Sequence, residues 1–349
     1  MAAAGILSIF GGARRVLTGS ARASELFPQT QPDVDGEECK HDCDSCTIKY
    51  PRGFKVEDTH PLYGNIKPWS THVLVATSKT DWCRDVENEK GSVMEAFGHA
   101  SKPSNGRLML SASNMPTPSH HADYSQPTTL LLLPAFSIIE NVTPPAVPSL
   151  ISEYISHAPT TSDPIAPVPL PKAISSSKST VGDMRVRPCP HRVVVLLCSH
   201  KTRDARCGQS APLIRKELER HLRLLGLDRD LDDQRPGGVG IYFTNHVGGH
   251  KYSANMMVYR RPNAFGIDDI KRAELPPGQE PELTKPIVDV EDGEETVGDV
   301  GAAQCIWLAR VRPEDCENIV RYTILQGKVV KGDTQLRGGF DRATGMMSW

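Results

Sequence analysis

The stretch "HRVVVLLCSHKTRDARC" occupies residues 191–207. Its five consecutive aliphatics, Val193 to Leu197, predict a strand buried on both faces, because a strand with one wet face would alternate. Cys198 ends that strand. The polar loop "SHKTRDAR" follows, and Cys207 closes it before a helix begins. "APLIRKELERHLRLLGL" predicts that helix, with Leu213, Ile214, Leu218, Leu222 and Leu225 on one face and Gly226 as its stop. "GVGIYFTNHVGGHKYSANMMVYR" reads as strand, glycine loop, strand. "AAQCIWLARV" is a further strand, and "PEDCENIVRYTIL" a helix opened by Pro313 and acids.

That order, β-α-β-β with a further strand and helix, suits a small α/β sandwich of thioredoxin-like type. A similar order occurs upstream. "THVLVATS" is an apolar run of strand length. "DVENEKGSVMEAFGHA" has helical spacing with Val86, Val93 and Phe97 inward, and "GRLMLSAS" and "TTLLLLPAF" read as strands. Both segments open with an apolar strand running into a polar loop, "HVLVATSKTDWCRD" and "RVVVLLCSHKTRDARC". The expected class is therefore α/β, with a C-terminal thioredoxin-like domain over 189–349 and a smaller, degenerate thioredoxin-like domain over 36–140. Residues 141–188 are rich in Pro, Ser and Thr and predict a mostly unstructured linker, with a short helix at "SLISEYIS".

The bulk numbers narrow the function. A chain of 349 residues has room for two domains and a sizeable core. A net charge of −2 gives no basic field for nucleic acid or an anionic membrane surface. The best apolar run, "TTLLLLPAFSII", is short and contains Pro134, so it reads as a buried strand and not a membrane span. The start "MAAAGILSIFGGARRVLTGSARAS" carries Arg14, Arg15 and Arg22 and no acid before Glu25. That is the pattern of a mitochondrial transit peptide, so residues 1–35 read as leader and linker, with a cytoplasmic location as the alternative. The 9 cysteines follow no secretory signal, which points to metal ligands, redox thiols or core residues before disulfides.

Sites in α/β sheets are built at the carboxyl ends of strands. Cys198 and Cys207 bracket one such loop. His246 and His250 lie in another, "HVGGH", where Gly248 and Gly249 allow a tight turn that lets both imidazoles face one centre. Two metals suit two thiolates and two imidazoles. Zinc takes a closed tetrahedral set. A [2Fe–2S] cluster takes two Cys on one iron and two His on the other, as in Rieske centres. Zinc fingers use a shorter Cys spacing and place their histidines on a helix, so eight residues between the cysteines suit a larger object.

The flanks "CSHKTRDARCGQSAP" and "HVGGHKYSAN" sharpen this. Together they resemble the C-x8-C…H-x-G-G-H motif of the thioredoxin-like ferredoxins, the sucrase/ferredoxin-like family. The resemblance covers roughly residues 39–349, and the acid-free start makes the family's mitochondrial branch the closer match. It implies a [2Fe–2S] cluster held by Cys198, Cys207, His246 and His250, in an electron-transfer role with redox protein partners the motif does not name. Two ferric ions and two sulfides carry +2, so two thiolates bring the oxidised site to zero. The expected potential then lies above that of an all-Cys ferredoxin, near the Rieske range of about −150 to +300 mV. Imidazole ligands that keep a titratable proton would couple the electron to a proton. Lys201, Arg203, Arg206 and Lys251 flank the ligands and would steer an acidic partner or stabilise the reduced state.

Cys43-x-x-Cys46 lies with Cys39 in an acidic loop and reads as a redox pair or half a metal site, outside the cluster. Cys189 is the nearest spare ligand, and Cys83 a vestigial counterpart if the halves are duplicates. The terminal "MSW", ending at Trp349, resembles a tripeptide that recruits clients to iron–sulfur assembly machinery. Two other functions stay open: a thioredoxin-type thiol-disulfide oxidoreductase without a cluster, and a zinc-stabilised binding module. An electron carrier is favoured over an enzyme with its own substrate.

Overall fold

The computed structural model describes residues 21–167, 170–176, 182–268 and 299–349. Residues 1–20, which carry most of the expected leader, lie outside them. In the first half, β1 (Thr71–Ala76) runs through the helix Val93–His99 to β2 (Leu108–Ser113). β3 (Thr128–Leu133) and β4 (Ser137–Val142) follow. β1 and β2 are parallel, β3 is antiparallel to β1, and β4 to β3. Next come the short β5 (Ala173–Ile174) and β6 (Met184–Pro188).

The second half repeats the scheme. β7 (Val193–Cys198) leads through the helix Ala205–Leu224 and the short β8 (Asp228–Arg229) to β9 (Val239–Thr244), parallel to β7. β10 (Met256–Arg260) is antiparallel to β7, and β11 (Gln304–Leu308) to β10. β12 (Leu336–Asp341) and β13 (Met346–Met347) complete the edge. The strand orders β4-β3-β1-β2 and β11-β10-β7-β9 are the same. The repeat suggested by two similar loops is thus also present in the pairing.

The halves are joined edge to edge. Ser113 of β2 pairs with Thr244 of β9, which makes one 13-stranded mixed sheet. They also share a core. Val193, Val195 and Leu197 pack on one face of β7 with Ile214, Leu218 and Leu222 of the long helix. Val194 and Leu196 point the other way, into a cluster that also contains Leu74, Leu131 and Leu133 of the first half and Met257, Tyr259 and Trp307 of the second. Val73 and Val75 face a separate first-half cluster with Met94 and Phe97. The unbroken aliphatic runs follow from this, because alternate side chains of β1 and β7 fill different cores.

Three sequence expectations change. Residues 141–188 are not mostly unstructured. Val147, Leu150, Ile151, Tyr154 and Ile155 are buried on and just beyond the helix Val147–Glu153, at the spacing of one helical face. β6 then pairs with β4 through Ile139 and Val186, so apolar positions spaced among the prolines tie the segment down. Residues 21–35, read as leader and linker, include Leu26 and Phe27, which are buried in the second-half core. The backbone amide of Ala21 donates to the carbonyl of Met347 at 2.9 Å. Finally, the long helix starts at Ala205, before Cys207. Asp204 caps it by accepting from the backbone N–H of Arg206 at 2.9 Å, and Pro212 lies inside it. No helix among the described residues is long and apolar enough to cross a membrane.

Candidate metal centre

Cys198 ends β7 and pairs in register with Thr244, the last residue of β9. The two parallel strands therefore release their loops side by side, and His246 comes two residues after that pair. Cys207 sits in the first turn of the helix Ala205–Leu224, whose N-terminal dipole favours negative charge there. Both thiols are buried. The Cys198 thiol hydrogen-bonds Cys207, and this contact, with burial, pushes Cys198 well above the ordinary thiol range. The same bond, helped by Ser253, holds Cys207 below that range against the effect of burial. Of the two, Cys207 is therefore the more acidic thiol.

His246 and His250 face each other with ring centroids 5.0 Å apart. Gly249 between them adopts φ +68°, and a Cβ there would lie 2.7 Å from the guanidinium carbon of Arg337. Glycine suits that turn, because any side chain there would have to displace Arg337 as well as adopt the left-handed backbone. Burial, followed by the neighbouring charges of His250 and Arg203, pushes the His246 imidazole down to about 4, so it is neutral and able to ligate at physiological pH. The Nδ1 atoms of His246 and of His250 are both buried with no hydrogen-bond partner, as is the Thr244 hydroxyl beside Cys198. Buried polar atoms without partners are uncommon, and here three occur at one place.

The surrounding shell was not visible in the sequence. Arg337, from β12, donates to the carbonyl of Gly248 and to Asn255 Oδ1, both at 2.9 Å, and so pins the glycine loop from below. Ser253 Oγ lies 3.2 Å from Cys207 Sγ and 2.7 Å from the carbonyl of His250, which ties a thiol to a histidine segment. Asp204 Oδ2 stands 4.0 Å from His250 Nε2, on the side of the ring away from the partnerless Nδ1. Two of the flanking cations are already paired, Arg203 with Asp85 and Arg206 with Asp204.

The first half braces this centre. Ser199 Oγ donates to the carbonyl of Thr80 at 2.9 Å, and the Thr202 backbone N–H and hydroxyl donate to the Asp81 carboxylate at 3.0 and 2.8 Å. In the repeat, Ala76 ends β1 where Cys198 ends β7, and Cys83 donates to the carbonyl of Asp85 at 3.0 Å. Cys189 is buried in the core shared by the halves.

A family model described as sucrase/ferredoxin-like matches residues 62–338, well over half the chain. The chain belongs to the sucrase/ferredoxin-like family. It is 32% identical over 243 residues to Actin patches distal protein 1 of Saccharomyces cerevisiae, covering 65% of this chain and 73% of that protein. It is 30% identical over 141 residues to Altered inheritance of mitochondria protein 32 of Clavispora lusitaniae, covering 40% of this chain. The protein of that name from Debaryomyces hansenii is 27% identical over 138 residues, again 40% of this chain. The aligned region is 33% of the length of each of these two proteins. The resemblance read from the motifs, to this sucrase/ferredoxin-like family and its mitochondrial branch, is therefore supported by both kinds of match. No solved structure matches the chain.

A second group lies elsewhere. Among the described residues, the donor atoms of Cys43, His221 and Glu317 all lie within 4.8 Å of one another. No three of Cys198, Cys207, His246 and His250 converge that closely.

Proposed function

We propose that Cys198, Cys207, His246 and His250 hold a [2Fe–2S] cluster, with the thiolates on one iron and the imidazoles on the other, in an electron carrier. The observation that carries this is the pair of buried, partnerless Nδ1 atoms beside two buried thiols. The spread of the four donors supports a two-iron object over one zinc ion. Donors around tetrahedral zinc stand roughly 3.3–3.8 Å apart, given bond lengths of about 2.0–2.3 Å. A bound cluster supplies one-electron transfer. The chain's own residues orient the ligands. Arg337 and Gly249 shape the histidine loop, Asp204 faces the outer nitrogen of His250, and Ser253 links the two ligand segments.

Anaerobically purified protein is expected to be red-brown, with two iron and two acid-labile sulfide per chain and an EPR signal on reduction. Stoichiometric zinc in these four ligands without sulfide would overturn the reading. One alternative rests on the same thiols. Cys198 and Cys207 in hydrogen-bond contact could work as a dithiol pair, in which case the purified protein is colourless and one disulfide forms on oxidation.

The names of the Altered inheritance of mitochondria protein 32 relatives and the arginine-bearing, acid-free start support a mitochondrial location. The burial of Leu26 and Phe27 in the second-half core supports a cleavage ahead of them. Terminal peptide mapping of protein from fractionated cells tests this. An intact Met1 on the mitochondrial form would refute cleavage.

A further inference from the structure

We propose that Cys43, Cys46, His221 and Glu317 form a zinc site, separate from the cluster, that clamps the N-terminal segment onto the helix Ala205–Leu224. The turn holding Cys43 is fixed in place. Its backbone N–H donates to the carbonyl of Glu314 at 2.9 Å, and the Cys46 N–H closes the turn onto the carbonyl of Cys43 at 3.2 Å. Asn318 donates to the carbonyl of His41 at 2.8 Å, so the segment is held from a third element. His221 projects from the last turn of the long helix, and Glu317 from the helical turn Cys316–Asn318.

Three ligand types therefore meet from three separate parts of the chain. Cys43 Sγ and His221 Nε2 are 4.0 Å apart. Sulfur, imidazole nitrogen and carboxylate oxygen together suit zinc better than a hard cation such as magnesium or calcium. Bringing the three to tetrahedral spacing needs a contraction of at most about 1.5 Å. Cys46 follows at the C-x-x-C spacing of half a zinc site. Its thiol bonds the carbonyl of Ile48 at 3.6 Å and the buried Glu217 carboxylate that also faces His221, so a side-chain rotation that releases it keeps it beside the group.

A cation already stands beside two members of the group, Cys43 and His221. Arg220 Nη2 lies 3.0 Å from His221 Nε2, 3.5 Å from Cys43 Sγ and 2.5 Å from Glu217 Oε1. Arginine only donates, so His221 Nε2 is the acceptor and its lone pair points into the group. The guanidinium thus stands in for the positive charge of a metal. Arg220 is 40% exposed at the side chain and can swing out, while Glu217, at 1%, stays beneath as a buried carboxylate near His221. His221 lies 14 residues beyond Cys207 on the same helix, about 21 Å along its axis. The two centres share no ligand.

The test uses the full chain, loaded with iron and given zinc chloride, then dialysed and analysed for zinc, iron and sulfide. One zinc per chain is expected in addition to the iron. Cys43→Ser and His221→Gln should each lose that zinc, with iron unchanged, and Cys198→Ser should lose iron and keep zinc. Glu317→Gln covers the case in which the core variants fail to fold, and should weaken zinc about tenfold in competition with a chromophoric chelator. Arg220→Gln should tighten zinc by a similar factor, because the competing guanidinium is gone. A folded wild-type protein that holds no zinc, or zinc that survives both Cys43→Ser and His221→Gln, would overturn the proposal. Loss of zinc affinity in Arg220→Gln would also overturn it, since that outcome marks a hydrogen-bonded polar cluster and not a metal site.

Discussion

His200 donates from Nε2 to the carbonyl oxygen of Trp82 at 3.0 Å, and its Nδ1 accepts the backbone N–H of His246 at 3.1 Å. One fully buried imidazole thus connects a loop of the first half to the histidine loop of the second. Replacing it with leucine leaves the His246 amide and the Trp82 carbonyl without this partner. We expect a loss of roughly 1–3 kcal/mol of stability and a marked fall in iron per chain. Thermal unfolding and iron analysis of His200→Leu check this. Unchanged values in both would show that the histidine loop holds its shape without the first half.

The two glycines of that loop separate backbone strain from crowding. Gly248 has φ +96° but open space where a Cβ would go, whereas Gly249 has φ +68° and Arg337 in the way. Gly248→Ala should cost about 1 kcal/mol and Gly249→Ala clearly more, of the order of 2–3 kcal/mol. Urea midpoints of the two variants give the comparison, and equal costs would remove Arg337 from the account.

Stability should fall on acidification through two buried histidines outside the centre. His72 bonds Tyr259 and Ser111, and burial holds it down at about 3. His191 bonds Tyr242, and burial holds it at about 4. Both pKa values lie below the unfolded value of about 6.5, so the unfolded chain binds the proton first. Their contribution is complete above pH 6.5 and is lost as pH falls towards 4 and then 3, with a limiting slope of about 1.4 kcal/mol per pH unit for each. Denaturation of wild type and His72→Gln between pH 7 and 4 should show a shallower dependence in the variant. Parallel curves would mean that His72 is not neutral in the folded state.

Cys83 lies in the loop seven residues after β1 ends at Ala76, whereas Cys198 itself ends β7, and their substitution should differ. Cys198→Ser is expected to abolish or severely weaken iron retention, and Cys83→Ser to leave iron per chain unchanged. Loss of iron in Cys83→Ser alone would move the centre to the first half.

The C-terminal tryptophan has a structural role that complicates any role in recruitment. Its ring lies 4.6 Å from that of Trp69, which is buried at the centre of the shared core. Deleting Trp349 should lower the unfolding temperature, at a cost of about 1 kcal/mol from the aromatic pair. Trp349→Phe should restore most of it. If cells load iron normally into a Trp349→Phe protein of normal stability, the tripeptide is not being read as a recruitment signal.

Much of the second half was legible because its signals are local. A doubly buried strand spells itself as five aliphatics, and the glycine turn places His246 and His250 on adjacent positions of one loop. The long helix starts at Ala205, earlier than the expected start at Ala211. The capping residue Asp204 was the competing signal, and it prevails because Asp204 satisfies the amide of Arg206. Arg337 and the loop containing Trp82 left no trace near the ligands, since both arrive from distant sequence by strand order alone. Between 141 and 188, Pro and Ser dominate the composition and mask the Val147–Leu150–Ile151–Tyr154 stripe. Cys43 gave half a pattern, and its companions His221 and Glu317 looked like ordinary surface positions of helices.

Ala76 standing where the other half has Cys198 has a consequence for how this protein can be cut. The silent copy is not a spare, because Ser199, His200 and Thr202 have all placed bonds in it. A chain trimmed to the later repeat would therefore begin life with an exposed scar beside the proposed ligands. The pair is the expected smallest autonomous unit, one copy carrying the candidate ligands and the other walling them in.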